Sequence, residues 1–476
     1  MGLPDLGSLK ERPALPARRA ALFAARDAMA TAAIAAAASP ALALPAAQAK
    51  RPALNVVHGF CDQQSMSLWL QARSSQTFDV VCTPQTGGAP VQRLRVQPDP
   101  REDYATTLRL AGLEPGTAYR YTVRSAQAGQ STVLAQGEFR TQPLWQWRGD
   151  PPTVRIATGS CAYLNDGRFD RPGTPYGAGE EIFDCIAAER ADLMLWLGDN
   201  IYLREPEWTS LEGINQRYRF YREHPALRKL WQASPHVAIW DDHDFGPNDS
   251  NATFVNRGWT RAMFDRYWPT PFAPQQDGTY GMVSVGDIDI FMLDDRSSRA
   301  PDTWPEDDPD KTMFGPTQMR WLQGALLSSR ARFKLVAGGS QFWNKTSRFD
   351  CLTHYPAEEA RLRNWLEARK IPGVVFLSGD RHFAQLLRIE RPGLYPLYEL
   401  TTSALTSSPP AKIDQAELDN PDLAPGTLYP QRNYAVITAS GPAKARELRI
   451  ELKSNTGALV WEWKASAAEL AAPQAA

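Results

Sequence analysis

Six short apolar runs, each ending in small and polar residues, constrain the fold of this chain more than any other feature. Leu193–Leu197 leads into Gly198-Asp199-Asn200-Ile201-Tyr202, and Val154–Ala157 into Gly159-Ser160-Cys161. Val237–Trp240 precedes Asp241-Asp242-His243-Asp244, and Ile288–Leu293 precedes Asp294-Asp295-Arg296. Phe333–Ala337 runs into Gly339-Ser340-Gln341, and Val374–Leu377 into Ser378-Gly379-Asp380-Arg381-His382. Leu193–Leu197, Val237–Trp240 and Val374–Leu377 are unbroken, and the other three runs carry one charged residue each, Arg155, Asp289 and Lys334. Short, mainly apolar runs of this kind are what strands buried on both faces require, and such strands are usually parallel. Helical patterns fall between them, at Gly179–Arg190, Leu211–Gln232, Arg257–Tyr267, Pro316–Arg330 and Pro356–Lys370. Alternating strands and helices predict βαβ units, and ligands in α/β sheets bind outside the strand carboxyl ends. Cys161, Asp199, Tyr202, Asp242, His243, Gln341, Asp380 and His382 are therefore expected to converge there as a metal site.

Taken singly, each of these residues has a plainer explanation, because an Asp after a strand is more often a helix cap or turn former than a ligand. The set is harder to explain that way, since adjacent carboxylates at one site repel unless a cation lies between them. With only six histidines in 476 residues, the ligands are drawn towards carboxylate, phenolate and thiolate, which disfavours a dinuclear zinc or manganese site. The balance of 52 basic against 53 acidic residues gives a net charge of −1. No field of one sign would attract nucleic acid or an anionic membrane, so an anionic substrate must be held locally.

The ends of the chain differ from its middle. Residues 1–49 contain Arg18-Arg19, an Ala-rich apolar stretch and the small-x-small site Ala47-Gln48-Ala49, and read as an export signal. The paired arginines point to the twin-arginine route, although Phe23 stands late and Arg26-Asp27 interrupt the apolar region. Export machinery is thus an expected partner, and a periplasmic or extracellular location the expected outcome. No later run reaches the roughly 20 apolar residues needed to span a bilayer. Over 50–145, short alternating segments separated by turn residues predict a β-sandwich. Within it Gly112-Leu113-Glu114-Pro115-Gly116-Thr117-Ala118-Tyr119 resembles the tyrosine-led corner of fibronectin type III modules. The segment Trp145–Pro152 reads as a connector, residues 152–466 as the catalytic domain and 467–476 as a tail. Tyr434–Trp463 is expected to close the domain with antiparallel strands, and Ala300–Asp310 and Ser407–Gly426 are expected to be long loops. Five cysteines leave at least one unpaired; Cys161 is the candidate ligand, Cys185 reads as a buried apolar residue, and Cys61–Cys82 is an available bridge.

The motifs Gly159-Ser160-Cys161, Gly198-Asp199-Asn200-Ile201-Tyr202, Asp241-Asp242-His243-Asp244 with Asn248, and Ser378-Gly379-Asp380-Arg381-His382 resemble, in order and strand context, those of PhoD-type alkaline phosphatases. The wider metallophosphoesterase class, purple acid phosphatases included, shares Gly-Asp-x-x-Tyr but carries Asp, Asn and His where this chain has Cys161, Asp242 and Asp380. The resemblance implies a four-layer α/β sandwich preceded by a small fibronectin type III-like β-sandwich. It also implies Fe(3+) held with Ca(2+), other divalent metals being an alternative. Cys161, Asp199, Tyr202 and His382 would take the iron; Asp242, Asp380 and one of Asn248 or Gln341 would serve calcium, with Asp199 bridging. A metal-activated hydroxide would then attack a phosphate ester in line, with His243 stabilising or protonating the leaving oxygen and Arg296 or Arg381 clamping the phosphate. Two other functions stay open at this point: a phosphodiesterase or phospholipase-like activity at the same site, and a non-catalytic surface-binding protein.

Overall fold

The computed structural model describes residues 52–87, 91–126, 131–272 and 277–472, all within one compact unit. The expected export signal at 1–49 lies outside the described residues. Seven strands come first: β1 (Leu54–Cys61), β2 (Ser65–Ala72), β3 (Phe78–Pro84), β4 (Gln92–Val96), β5 (Ala105–Ala111), β6 (Ala118–Ser125) and β7 (Val133–Arg140). They form a three-stranded sheet, β1-β2-β5, facing a four-stranded one, β4-β3-β6-β7, with every pairing antiparallel. Alternation decides the layers: on β6, Tyr119, Tyr121 and Val123 point into the core while Arg120 and Arg124 face solvent. The Tyr119 hydroxyl accepts the Glu114 amide at 2.8 Å, so the expected tyrosine-led corner is present as a contact. Cys61 and Cys82 are both free thiols, and the available bridge is not made; Cys61 Sγ turns instead to the Arg140 carbonyl.

The sandwich is fastened to the larger part of the chain by polar side chains. Gln142 donates to the Cys61 and Ser284 carbonyls and accepts from the Gly286 amide, and the Tyr267 hydroxyl donates to Asp103 at 2.6 Å. Trp69 of β2 is fully buried, with its indole N–H on the Arg266 carbonyl at 2.8 Å.

Beyond Pro152 the chain builds two six-stranded sheets. In the first, β8 (Val154–Gly159), β9 (Leu193–Leu197) and β10 (His236–Ile239) run parallel, and β17 (Asn433–Ser440), β18 (Glu447–Ser454) and β19 (Leu459–Ser466) continue antiparallel from β8. The second has the order β11-β12-β13-β14-β16-β15, with β11 (Gly281–Val285), β12 (Ile288–Met292), β13 (Phe333–Ala337), β14 (Val374–Ser378), β15 (Gln385–Ile389) and β16 (Leu397–Thr401). Strands β12, β13, β14 and β16 are parallel.

Alternate side chains of these strands enter different cores. Ile156, Leu195, Ile239, Ile290, Leu335 and Val375 fill the space between the sheets. Their neighbours Ala157, Trp196 and Ala238 meet Ile182 and Phe183 of the helix Glu181–Ala188, and Phe291, Val336 and Phe376 meet Leu322 and Leu362 of the helices Gly315–Ser328 and Pro356–Arg369. Helix, sheet, sheet, helix is the expected four-layer sandwich. The helix predicted over Leu211–Gln232 stops at Glu223, because Pro225 has no N–H to continue the ladder, and resumes only as short turns to Ala233. Residues 467–472 are more than a tail: Leu470 is buried, and its carbonyl accepts the Gly373 amide at 2.7 Å.

Candidate metal centre

The carboxyl ends of β8, β9, β10 and β14 meet where the two sheets face each other. Cys161, Asp199, Asp380 and His382 all sit there with positive φ, at 60°, 50°, 67° and 56°. Left-handed backbone is costly for a residue with a Cβ, and four such residues at one place mark a site where the surroundings impose the geometry. Glycines make the close approach feasible. A Cβ on Gly198 (φ +85°) would lie 2.6 Å from Asp241 Cβ, and one on Gly379 would lie 2.5 Å from the Leu197 carbonyl.

Two donor groups result, sharing Asp199. Cys161 Sγ, an Asp199 carboxylate oxygen and a His382 ring nitrogen lie within 4.8 Å of one another, and so do ligand atoms of Asp199, Asp242 and His243. Tyr202 joins the first group, its hydroxyl 2.9 Å from Asp199 Oδ2 and 3.2 Å from His382 Nε2. His382 is aimed by its other nitrogen, Nδ1, at 3.0 Å from the Ser408 carbonyl and 3.2 Å from the Tyr176 hydroxyl. Asp242 accepts the His243 amide at 2.8 Å and the Asp249 amide at 2.7 Å.

The electrostatics of the site favour a cation. Burial, then the charges of Asp242, Asp244 and Asp380, push the Asp199 carboxyl well above its ordinary range. Burial and the Asp199 charge do the same to the Cys161 thiol and the Tyr202 phenol. Asp380 is pushed up to about 7, chiefly by burial, with the like charges of Asp350 and Asp242 adding to it. Asp242 is the exception: burial would raise it, but the His243 imidazole, the Arg296 guanidinium and the Asp249 amide beside it hold it below the usual carboxylate range. Burial lowers His382 to about 4 and also lowers His243, which keeps both imidazoles neutral and able to coordinate. Thiol, phenol and carboxyl groups held in their proton-bearing forms by burial and by one another's charge are what a cation would reverse. The donor chemistry therefore fits a bound metal pair: sulfur, phenolate and imidazole on one side, and carboxylates with imidazole on the other.

Known proteins resemble this chain in sequence and in fold. The PhoD-like phosphatase family matches residues 160–447. The chain belongs to that family. It is 25% identical over 319 residues to alkaline phosphatase D of Bacillus subtilis (strain 168), a match spanning 57% of this chain and about half, 52%, of the relative. A solved structure of PhoD superposes with a TM-score of 0.73 at 19% identity, covering 90% of this chain and 92% of the other. Purple acid phosphatase PPD1 from yellow lupin (Lupinus luteus) seeds superposes with a TM-score of 0.64 at 11% identity, covering 87% and 74%. These two show the shared fold.

Within the site the expected residues divide. Cys161, Asp199, Tyr202, Asp242, His243 and His382 come together as described. His243, expected at the converging strand ends and, by the resemblance, as the group acting on the leaving oxygen, stands among the ligand atoms of the second group. The charge of Asp380 reaches Asp199, Cys161 and Asp242, but Asp380 belongs to neither tight group. Gln341 is fully buried with its amide committed at both ends, donating to Thr401 Oγ1 at 2.8 Å and accepting from Asn344 at 2.9 Å. Asn248 is exposed on the loop after the third motif.

Arg296 is not placed to clamp a phosphate. It is completely buried, its Nε 2.6 Å from Asp241 and its Nη1 2.7 Å from Asp350, with the Ser250 carbonyl and Ser340 Oγ each 3.1 Å away. A guanidinium with its N–H groups so engaged has none left for substrate. Arg381 pairs with Glu417 at 3.0 Å and lies 4.1 Å over the Phe349 ring, leaving Nε without a partner.

The sequence reading missed the segment after β16. Ser403, Ser407 and Ser408 contact Cys161, Tyr202 and His382 respectively. Its signal was weaker than elsewhere: Leu397–Thr401 is broken by Glu399, and the segment it opens into, Thr402-Ser403-Ala404-Leu405-Thr406-Ser407-Ser408, is rich in hydroxyl groups but has neither acid nor histidine. Asp244 was also missed as a scaffold residue; its carboxylate accepts from the Asn200 and Ile201 amides and fixes the turn that carries Asp199.

Proposed function

We propose that this chain is a metal-dependent hydrolase of phosphoric esters of the alkaline phosphatase D kind. The observation that carries the reading is the pair of donor groups sharing Asp199, built from residues at the strand ends of a PhoD-like fold. Cys161, Asp199, Tyr202 and His382 would hold Fe(3+), and Asp199, Asp242 and His243 a second, harder cation such as Ca(2+), with Asp380 adding charge nearby. When bound, two such cations acidify a water and neutralise charge developing on the phosphoryl oxygens.

The remaining contributions come from the chain's own side chains. The Ser408 carbonyl holds His382 Nδ1, which leaves Nε2 facing the Tyr202 hydroxyl. The His243 ring packs on the Tyr202 ring at 4.2 Å between centroids, which fixes its plane beside Asp199 and Asp242. From there it either ligates the second cation or passes a proton to the leaving oxygen. Arg381, whose Nε has no partner, is the remaining candidate for the arginine that meets a phosphate oxygen. An exported protein with a twin-arginine leader and a sandwich of fibronectin type III kind belongs to the same reading, as does a chain organised as leader, sandwich and catalytic domain. No helix among the described residues is long and apolar enough to cross a membrane.

Elemental analysis of the purified protein, with p-nitrophenyl phosphate and bis-p-nitrophenyl phosphate assayed before and after chelation, tests the proposal. Iron with a second cation, a violet or brown colour, and turnover lost on chelation and recovered on reloading are expected; the two rates rank monoester against diester. A colourless, metal-poor protein that stays inactive after iron and calcium are restored would overturn it.

A further inference from the structure

Ser403 is fully buried in the segment between β16 and β17, and its one hydroxyl touches two of the residues that would hold iron. Oγ lies 3.0 Å from Cys161 Sγ and accepts the His382 backbone amide at 2.9 Å. An oxygen that accepts from His382 has its proton free to donate, and the sulfur is the partner in reach. Ser160, the other hydroxyl near Sγ, is 3.4 Å away and gives its own proton to the Thr402 carbonyl at 3.0 Å. Among the described residues, then, Ser403 supplies the one short hydrogen bond directed at the sulfur.

The segment is held so that this contact cannot drift. Asn433, at the start of β17, accepts from Thr402 Oγ1 and donates to the Ser403 and Gln431 carbonyls. The Leu405 amide donates to the Ser160 carbonyl at 2.8 Å, and the Ser407 amide to the Cys161 carbonyl at 3.1 Å. The strand end carrying Cys161 and the strand end carrying His382 come from different sheets, so Ser403 is a direct hydrogen-bonded link between them.

We infer that Ser403 is a positioning residue that tunes the Cys161 sulfur as a metal donor and sets its distance from His382. The inference rests on the proposal that Cys161 ligates the metal. A hydrogen bond to a ligating thiolate withdraws electron density from it, weakens its donation and raises the reduction potential of the metal it holds. Accepting from the His382 amide polarises the hydroxyl and strengthens its donation to sulfur.

The test uses the metal-loaded protein and its sulfur-to-metal charge-transfer band. In Ser403→Ala that band should move to longer wavelength and the iron midpoint potential should fall; Ser403→Thr should restore both, and Ser160→Ala should leave both near wild type. Independently of any variant, the metal–sulfur stretch of the wild-type protein in resonance Raman should shift on exchange into D2O, because the donor proton exchanges. A band that is present but unmoved in Ser403→Ala, or a stretch insensitive to D2O, overturns the role of Ser403 while leaving the metal centre intact. A loaded wild-type protein with no sulfur-to-metal band overturns the ligand assignment of Cys161, and this inference with it.

Discussion

Replacing Arg296 with Met separates two roles that the sequence allows and the structure distinguishes. The Arg296 guanidinium is completely buried between Asp241 and Asp350, and donates as well to Ser250 and Ser340. In Arg296→Met, Asp350 keeps the Arg299 guanidinium at 2.7 Å, but Asp241 is left in the interior with no cation. Removing one partner of a buried ion pair costs about 3–5 kcal/mol, and the two lost neutral hydrogen bonds add on the order of 1 kcal/mol each. Since apolar Met recovers part of this by filling the space, the expected net loss is about 4 kcal/mol, a large share of a typical 5–15 kcal/mol stability. Urea unfolding followed by tryptophan fluorescence measures it, with KM for p-nitrophenyl phosphate determined below the unfolding transition. KM should change by less than about threefold, because no N–H of Arg296 reaches substrate. A variant of near wild-type stability with KM raised a hundredfold would refute the reasoning and return Arg296 to the phosphate.

Three further outcomes follow from particular contacts. Gly198→Ala places a methyl group 2.6 Å from Asp241 Cβ at φ +85°, and should cost on the order of 2–4 kcal/mol and disturb the Asp199 turn; a wild-type unfolding midpoint would contradict the crowding. His58 is buried neutral, its pKa lowered by burial from 6.5 to about 4, so its contribution to stability is complete above pH 6.5 and is lost as pH falls towards 4. Relative to His58→Gln, the wild-type protein should lose about 2 kcal/mol between pH 7.5 and pH 5; parallel stability curves would show that His58 titrates normally. Adding calcium and iron to chelator-stripped protein should raise the unfolding free energy by about 2.7 kcal/mol per occupied site at a hundredfold excess over Kd, and Asp199→Asn should abolish most of the gain; no change in the wild-type protein would mean that the donor groups bind neither ion.

The sequence alone determined the strands and what they carry. A parallel strand buried on both faces must be mainly apolar, so β8, β9, β10, β12, β13 and β14 were legible within a residue or two even where Arg155, Asp289 or Lys334 interrupts the run, and the polar residues ending them named most of the site. Composition added that carboxylate, phenolate and thiolate would outnumber histidine. The tertiary structure decided which strands share a sheet, because pairing depends on contacts far apart in the chain: β17 lies beside β8 across nearly three hundred residues and joins the antiparallel tail to the parallel strands. It also decided the direction of side chains after each strand. Arg296 and Asp242 both follow apolar runs, yet one turns into an ion-paired interior and the other into the donor group. Local sequence could not separate them, since the difference lies in the partners that folding brings: Asp241 and Asp350 around the arginine, Asp199 and His243 around the carboxylate. Ser403 was hidden for the same reason, because a serine in a polar run gains its role only when Cys161 and His382 arrive from two other strands.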